Sequence, residues 1–368
     1  MFDVAIVGGG PAGASCAAFC AKAGLRTLVL EREIFPREKV CGDCLNPVCW
    51  PILRRLELAE RVRSLRHGVL DRVEFIGLGG RTLAVDLPIG ADAEIAIKRS
   101  LFDQIVLARA RELGAVIQEA STVTSLNRPG VSGGHWTITT SSVEIFESHL
   151  LVAADGRNST IARICGLLPR GAKERIALQT HLPLPVDFGN RVVLQFRPEG
   201  YSGQAPVGEG ELNLCLVSVP AKMAALRSWA EAYFGLSPQH SWRTITPLTR
   251  KPIAAGQRSL FLVGDAARVV EPFTGEGIYY ALASGELAAD AIVSRCNGRN
   301  EAEVAAAYTE AHDKLYRGRL WINRLARAAV LSPRIASVCL EIAHLQPALL
   351  RFLTSKIVKP VSTSARMP

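Results

Sequence analysis

Two widely separated stretches carry residues whose types and spacing suit the handling of a dinucleotide. Gly8, Gly10 and Gly13 follow a G-x-G-x-x-G spacing directly after the apolar run Val4-Ala5-Ile6-Val7, at the head of an Ala-rich segment opening with Pro11-Ala12. In that context Gly8 permits the tight turn, Gly10 lets backbone approach a pyrophosphate, and Gly13 lets a helix pack closely on a strand. The free N–H groups at the helix start then face phosphate charge. Glu31, with Arg32 beside it, closes the next apolar run. A carboxylate there holds ribose hydroxyls and repels a 2′-phosphate.

The second stretch is Leu260-Phe261-Leu262-Val263, which leads into Gly264-Asp265 and, after a short loop, into Gly275-Glu276-Gly277-Ile278. The glycines let backbone amides approach a ligand without a Cβ in the way. A helix start at that point stabilises negative charge. Between the two stretches, Asp155-Gly156 follows the apolar Val152-Ala153-Ala154. Asp155 reads either as a cofactor-side residue or as the cap of a helix over 159–165. Arg99 reads either as reaching a cofactor or as a solvated arginine at a helix start.

The elements that would position these residues form a β-α-β unit: a strand over 3–8, a helix over 11–23 and a strand over 26–31. Such a unit implies an α/β, Rossmann-like fold with a parallel sheet. A helix over 100–113, with Ser100 as its N-cap and Gly114 at its end, fits the cap preferences. Residues 115–149 alternate like an antiparallel meander, and 150–154 return as a buried strand. Residues 175–250 alternate in β fashion around one helix near 221–234. They form an inserted antiparallel-sheet substrate domain that also takes up part of 68–97. Residues 1–174 and 251–300 then make a discontinuous cofactor domain, and 301–368 a helical C-terminal segment broken at Pro333 and Pro347.

Composition narrows the classes. Apolar residues are 48% and charged residues 21% of the 368, an ordinary globular balance. No run of apolar residues is long enough to span a bilayer, and the N-terminus has no secretory leader pattern. Nine cysteines, an odd number set among small and apolar neighbours, suit free thiols in a cytoplasmic protein. Cys41 and Cys44 lack a matching second pair, so no metal site is expected. The net charge of +9 is concentrated at the end, where residues 311–368 carry ten basic side chains against Asp313 and Glu341. No nucleic-acid motif accompanies it. Helices at 315–331 and 348–358 mix apolar and basic residues. They fit either peripheral contact with an anionic membrane surface or a helical cap on the protein.

The stretch 260–278 resembles the second FAD fingerprint of glutathione-reductase-like flavoproteins, and Asp155-Gly156 resembles a motif of the flavin hydroxylases. Within that superfamily, Arg37-Glu38-Lys39-Val40-Cys41-Gly42 and the run Glu271–Gly285 resemble the geranylgeranyl reductase branch. The three motifs span most of residues 1–295. The resemblance implies FAD as cofactor, Asp265 on the ribityl chain, and Gly275, Gly277 and Ile278 facing the flavin pyrimidine ring. It also implies Arg99 reaching the FAD, with Lys39 and Cys41 near the isoalloxazine. Family members often carry Tyr-x-Trp-x-Phe-Pro above the flavin. Here Tyr201-Ser202-Gly203-Gln204-Ala205-Pro206 lacks the Trp and Phe, which implies a roomier cavity, and the halogenase Trp-x-Trp-x-Ile-Pro is absent.

Cys41 and Gly42 are the candidate catalytic positions: the thiol either donates a proton to the substrate or simply packs against the ring. With no second glycine fingerprint, electrons come from NAD(P)H bound transiently or from a donor protein. Reduction of C=C bonds in a lipophilic, prenyl- or polyketide-like small molecule is the expected reaction. Hydroxylation of an aromatic or polyketide-like substrate by a flavin monooxygenase is the alternative, and a non-catalytic flavin-binding protein is a third reading.

Overall fold

The computed structural model describes residues 1–130, 134–169 and 175–317. The basic stretch from 318 onward, which holds most of the two mixed apolar and basic segments, lies outside the described residues.

Strand Phe2–Val7 sits between two parallel neighbours, Thr27–Leu30 and Ile145–Ala153. Val116–Gln118 extends the sheet on one side and Leu260–Leu262 on the other, both again parallel. The central parts of these strands, residues 4–7, 28–30, 150–153 and 260–262, are apolar and buried, as strands covered on both faces are. The register decides where the chemistry falls. Val7 pairs with both Leu30 and Ala153, and Ala153 pairs with Leu262, so the carboxyl ends of four strands stop at one level. The turns at Gly8, Glu31, Ala154 and Val263 therefore emerge side by side along one edge, where open α/β sheets bind their ligands. Of the antiparallel meander expected over 115–149, the strands Val123–Asn127, Trp136–Thr140 and the start of Ile145–Ala153 form it. Val116–Gln118 instead joins the parallel sheet beside Thr27–Leu30, and the buried strand expected at 150–154 is the continuation of Ile145–Ala153.

Helix Pro11–Lys22 springs from the glycine turn and packs on helix Gly277–Cys296, which follows the distant Gly-Asp strand. Gly285 is required at this crossing, because a Cβ there would lie 2.4 Å from the Ala12 carbonyl oxygen. Gly13 instead seats the first helix on its own turn, where a Cβ would lie 1.9 Å from the Gly8 carbonyl oxygen. One boundary differs from expectation. The helix expected over 100–113 runs Arg99–Glu112 with Lys98 at its N-cap and no side-chain cap, so Ser100 lies inside the first turn. The helix starts early because the Lys98 carbonyl already accepts the amides of Leu101 and Phe102. Gly114 does follow its end, at φ +103°.

A second sheet of seven strands lies across the first unit. Its order is Arg243–Ile245, Ile176–Pro183, Glu211–Ser218, Gly200–Gly208, Arg191–Arg197, Arg72–Ile76, Thr82–Asp86. Side chains alternate between its faces. One face, with Leu212, Leu214 and Leu216, is buried under helix Pro220–Tyr233 through Met223, Leu226 and Ala230. The other carries Ala177, Leu194, Phe196, Tyr201 and Val217, which turn toward the edge where the glycine turns emerge. Helix Glu301–Arg317 closes the described chain, its Tyr308 hydroxyl donating to the Leu262 carbonyl at 2.8 Å. No helix among the described residues is long and apolar enough to cross a membrane.

Candidate functional site

The aligned strand ends open into a cleft of about 1040 Å³, large for a small-molecule site. Gly8, Gly10, Pro11, Ala12, Glu31, Arg32, Lys39, Cys41, Gly42, Arg99, Asp155, Gly156, Asp265, Gly275, Gly277 and Ile278 all line it. Gly13 and Gly264 do not; they sit behind the wall, where they let the backbone pack.

At one end, Gly8 adopts φ +106°, and a Cβ there would lie 2.5 Å from the Ala154 oxygen. The buried carboxylate of Glu31 braces this turn. Its Oε2 accepts the Gly9 amide at 2.6 Å and its Oε1 accepts the Glu33 amide at 2.9 Å. Each oxygen keeps a second lone pair for a ribose hydroxyl. Over the turn lies the Arg37 guanidinium, 3.4 Å from where a Gly10 Cβ would stand.

Cations crowd the middle of the cleft. Asp103 is fully buried and holds two arginines, Arg99 at 2.6 and 2.7 Å and Arg37 at 3.0 Å. Arg99 is thus neither solvated nor free to swing: its partner lies one helical turn further along the same helix. Burial acts to lower its pKa, but Asp103 and Cys41 beside it together outweigh burial and raise it. Lys39 has no ion pair among the described residues. Burial, with Arg99, Arg37 and Arg157 nearby, pulls it down to about 8 against the opposing pull of Asp265. A lysine so placed favours an anionic ligand beside it.

At the far end, the Asp265 Oδ2 accepts Arg157 Nη2 at 2.8 Å, and Arg250 Nη2 donates to the carbonyls of Asp265 and Ala266 at 2.6 and 2.7 Å. The strand end is thereby clamped in position. Gly277 lines the cleft and opens its helix with nothing within 4 Å of a would-be Cβ, so a ligand can approach its backbone closely. Asp155 lies at the cleft and also braces the start of a helix without being its N-cap. Its Oδ2 accepts the amides of Thr160 and Ile161 at 2.6 and 3.1 Å, at the start of helix Thr160–Ile164, while the residue also lines the cleft. The formal N-cap of that short helix is Ser159, whose hydroxyl accepts the Ala162 amide.

Beyond the cationic middle the cleft widens into an apolar chamber. Its walls include Val73, Leu194 and Val217, with an aromatic group formed by Phe75, Phe196, Tyr201 and Phe273. Tyr201 meets Phe273 edge-on at 5.5 Å. On the central strand Gly203 and Ala205 also face the chamber, so the absent Trp and Phe leave open space.

The loop carrying Cys41 is pinned to the second sheet. The Cys41 carbonyl accepts Asn213 Nδ2 at 2.8 Å and the Cys215 thiol at 3.2 Å, and Asp43 pairs with His181 at 2.9 Å. Asp43 is fully buried, with φ +60°. Burial pushes the Cys41 thiol up in pKa, with Arg99 opposing, so it stays protonated at neutral pH. Sequence reasoning missed this clamp, as well as the buried pair Arg175–Glu271 at 2.6 and 3.0 Å, which ties the second sheet to the loop before Gly275. It also missed Glu94, a buried cleft-lining carboxyl. Among the described residues no group of His, Cys, Asp or Glu could hold a metal ion.

The glycine turn, the uncrowded helix start at Gly277 and the lysine without an ion pair among the described residues fit a dinucleotide flavin. Comparison with known proteins agrees. Residues 1–193 match the FAD binding domain family, and the chain belongs to it. It is a flavoprotein, with FAD as its cofactor. A menaquinone reductase of Mycolicibacterium smegmatis is 29% identical over 79% of this chain and 76% of its own length. A geranylgeranyl diphosphate reductase of Synechocystis is 27% identical over 86% of this chain and 82% of its own. Conditioned medium factor receptor 1 of Dictyostelium discoideum is 28% identical over 82% of this chain, which spans only 65% of that relative's length. The flavin-dependent brominase Bmp2 superposes with a TM-score of 0.81 over 97% of this chain and 93% of its own, at 21% identity. A probable FAD-dependent monooxygenase from Pseudomonas aeruginosa gives 0.77 over 92% and 99%, at 17%. These likenesses to solved structures establish the shared fold.

Proposed function

We propose that this FAD-dependent oxidoreductase reduces C=C bonds of a lipophilic, prenyl- or polyketide-like substrate. The observation that carries the reading is the apolar, aromatic-walled chamber that continues directly from the Asp265 and Gly277 end of the cleft. A charged or strongly polar group placed against those walls would lose its hydration without recompense, whereas a prenyl or polyketide chain would not. Two relatives bear the names of isoprenoid substrates, menaquinone and geranylgeranyl diphosphate.

In this reading the adenosine ribose lies at Glu31 and Arg32, and the pyrophosphate lies at Gly10 beneath Arg37. The ribityl chain meets Asp265, and the flavin ring lies before Gly275, Gly277 and Ile278, with Cys41 and Gly42 along the chamber wall. Bound FAD, once reduced by NAD(P)H or a donor protein, supplies the hydride. The protein's part is to orient the substrate and keep water out. Glu31 and Arg37 anchor one end of the cofactor, while the clamp on the Cys41 loop fixes the chamber wall.

The test is product analysis under isotopically labelled dioxygen in place of air, with NAD(P)H and either short-chain menaquinone or geranylgeranyl diphosphate. Reduction gives a product that has gained hydrogen and carries no label. A labelled, hydroxylated product would instead assign a monooxygenase.

A further inference from the structure

Glu94 is 8% exposed and lines the cleft, yet its carboxyl makes no hydrogen bond or ion pair among the described residues. Its backbone is fixed. The Glu94 carbonyl accepts the Leu70 amide at 3.3 Å, and the Trp50 indole donates to the neighbouring Ala93 carbonyl at 2.9 Å. The titratable groups facing it are Glu276, fully buried at the turn into helix Gly277–Cys296, and the Cys44 thiol. No cation is among them. Leu87, Cys44 and Ala205, from one apolar cluster, line the same cleft. An ionised carboxylate in such a place, beside a second acid, is strongly disfavoured.

We propose that Glu94 is the acid that protonates the bound substrate. The assignment rests on the reduction argued above and identifies its proton source. As one carbon of the double bond accepts hydride, the π pair forms a new C–H bond at the other carbon with the Glu94 carboxyl proton. The carboxylate left behind is reprotonated by water when the product leaves. Burial, aided by Glu276, pushes Glu94 up to about 7, close to the value that best suits a general acid at neutral pH. The Cys41 thiol, pushed up from a higher starting value, is the weaker acid.

The test uses FAD-loaded Glu94→Gln and Cys41→Ala proteins with the same two probes. Glu94→Gln should retain FAD and accept electrons from NAD(P)H at the wild-type rate, while probe reduction falls roughly 100-fold or more. Wild-type turnover should decline as pH rises above about 7, a limb that Glu94→Gln lacks. Near-normal turnover in Glu94→Gln, or a comparable loss in Cys41→Ala alone, overturns the assignment. A second readout needs no substrate. A carboxyl raised from its unfolded value near 4.5 to about 7 makes wild type lose stability as pH rises between those values. Glu94→Gln should therefore gain Tm over wild type at about pH 8 relative to about pH 5. An equal difference at both pH values overturns the proposal even if neither probe is a substrate, an outcome that would count separately against the reduction itself.

Discussion

The Glu31 carboxylate accepts the Gly9 amide at 2.6 Å across the glycine turn. The acid that ends the second strand thus braces the glycine turn as well as lining the cleft. Glu31→Ala should weaken FAD retention by about 1–3 kcal/mol, the cost of losing a charge-assisted contact and leaving an amide unpaired. Glu31→Gln, which keeps one acceptor oxygen, should lose less. FAD titration of the apoprotein by flavin fluorescence measures both.

Lys39 gives FAD binding a pH dependence with a definite sign. Its pKa of about 8 reflects burial among arginines. An anionic cofactor beside it raises that value, so binding takes up a proton above about pH 8. FAD affinity should then be higher at about pH 7 than at about pH 9.5, and Lys39→Met should flatten the difference. Calorimetric titration in buffers of differing ionisation enthalpy reads the proton uptake directly.

The chamber owes its width to Gly203 and Ala205 on the strand Gly200–Gly208. Ala205→Phe should leave FAD content intact. It should lower kcat/KM for a long-chain probe by roughly tenfold or more, an overpacking cost of about 1–3 kcal/mol, while a short probe loses less. Parallel kinetics on menaquinones of two chain lengths tests this.

What the sequence made legible follows from distance along the chain. The glycine turn, Glu31, Asp155-Gly156 and Gly264-Asp265 are contiguous motifs at strand ends, and the parallel register delivers all of them to one edge. The alternating pattern of 175–250 likewise identified the second sheet, because one of its faces had to be apolar. Asp43–His181 and Arg175–Glu271 were not legible, since their partners stand 138 and 96 residues apart and meet only through tertiary packing. Glu94 carries no local signal at all: burial alone makes it unusual. The Arg99–Asp103 pair was within reach, because a four-residue spacing on a helix brings two such groups together.

Anaerobic stopped-flow reoxidation of the prereduced holoprotein tests reduction most directly. Mixing with short-chain menaquinone or geranylgeranyl diphosphate should return the oxidised flavin spectrum in step with formation of the hydrogenated product, with no oxygen present. A flavin that stays reduced until air is admitted, and only then yields an oxygenated product, would contradict the account.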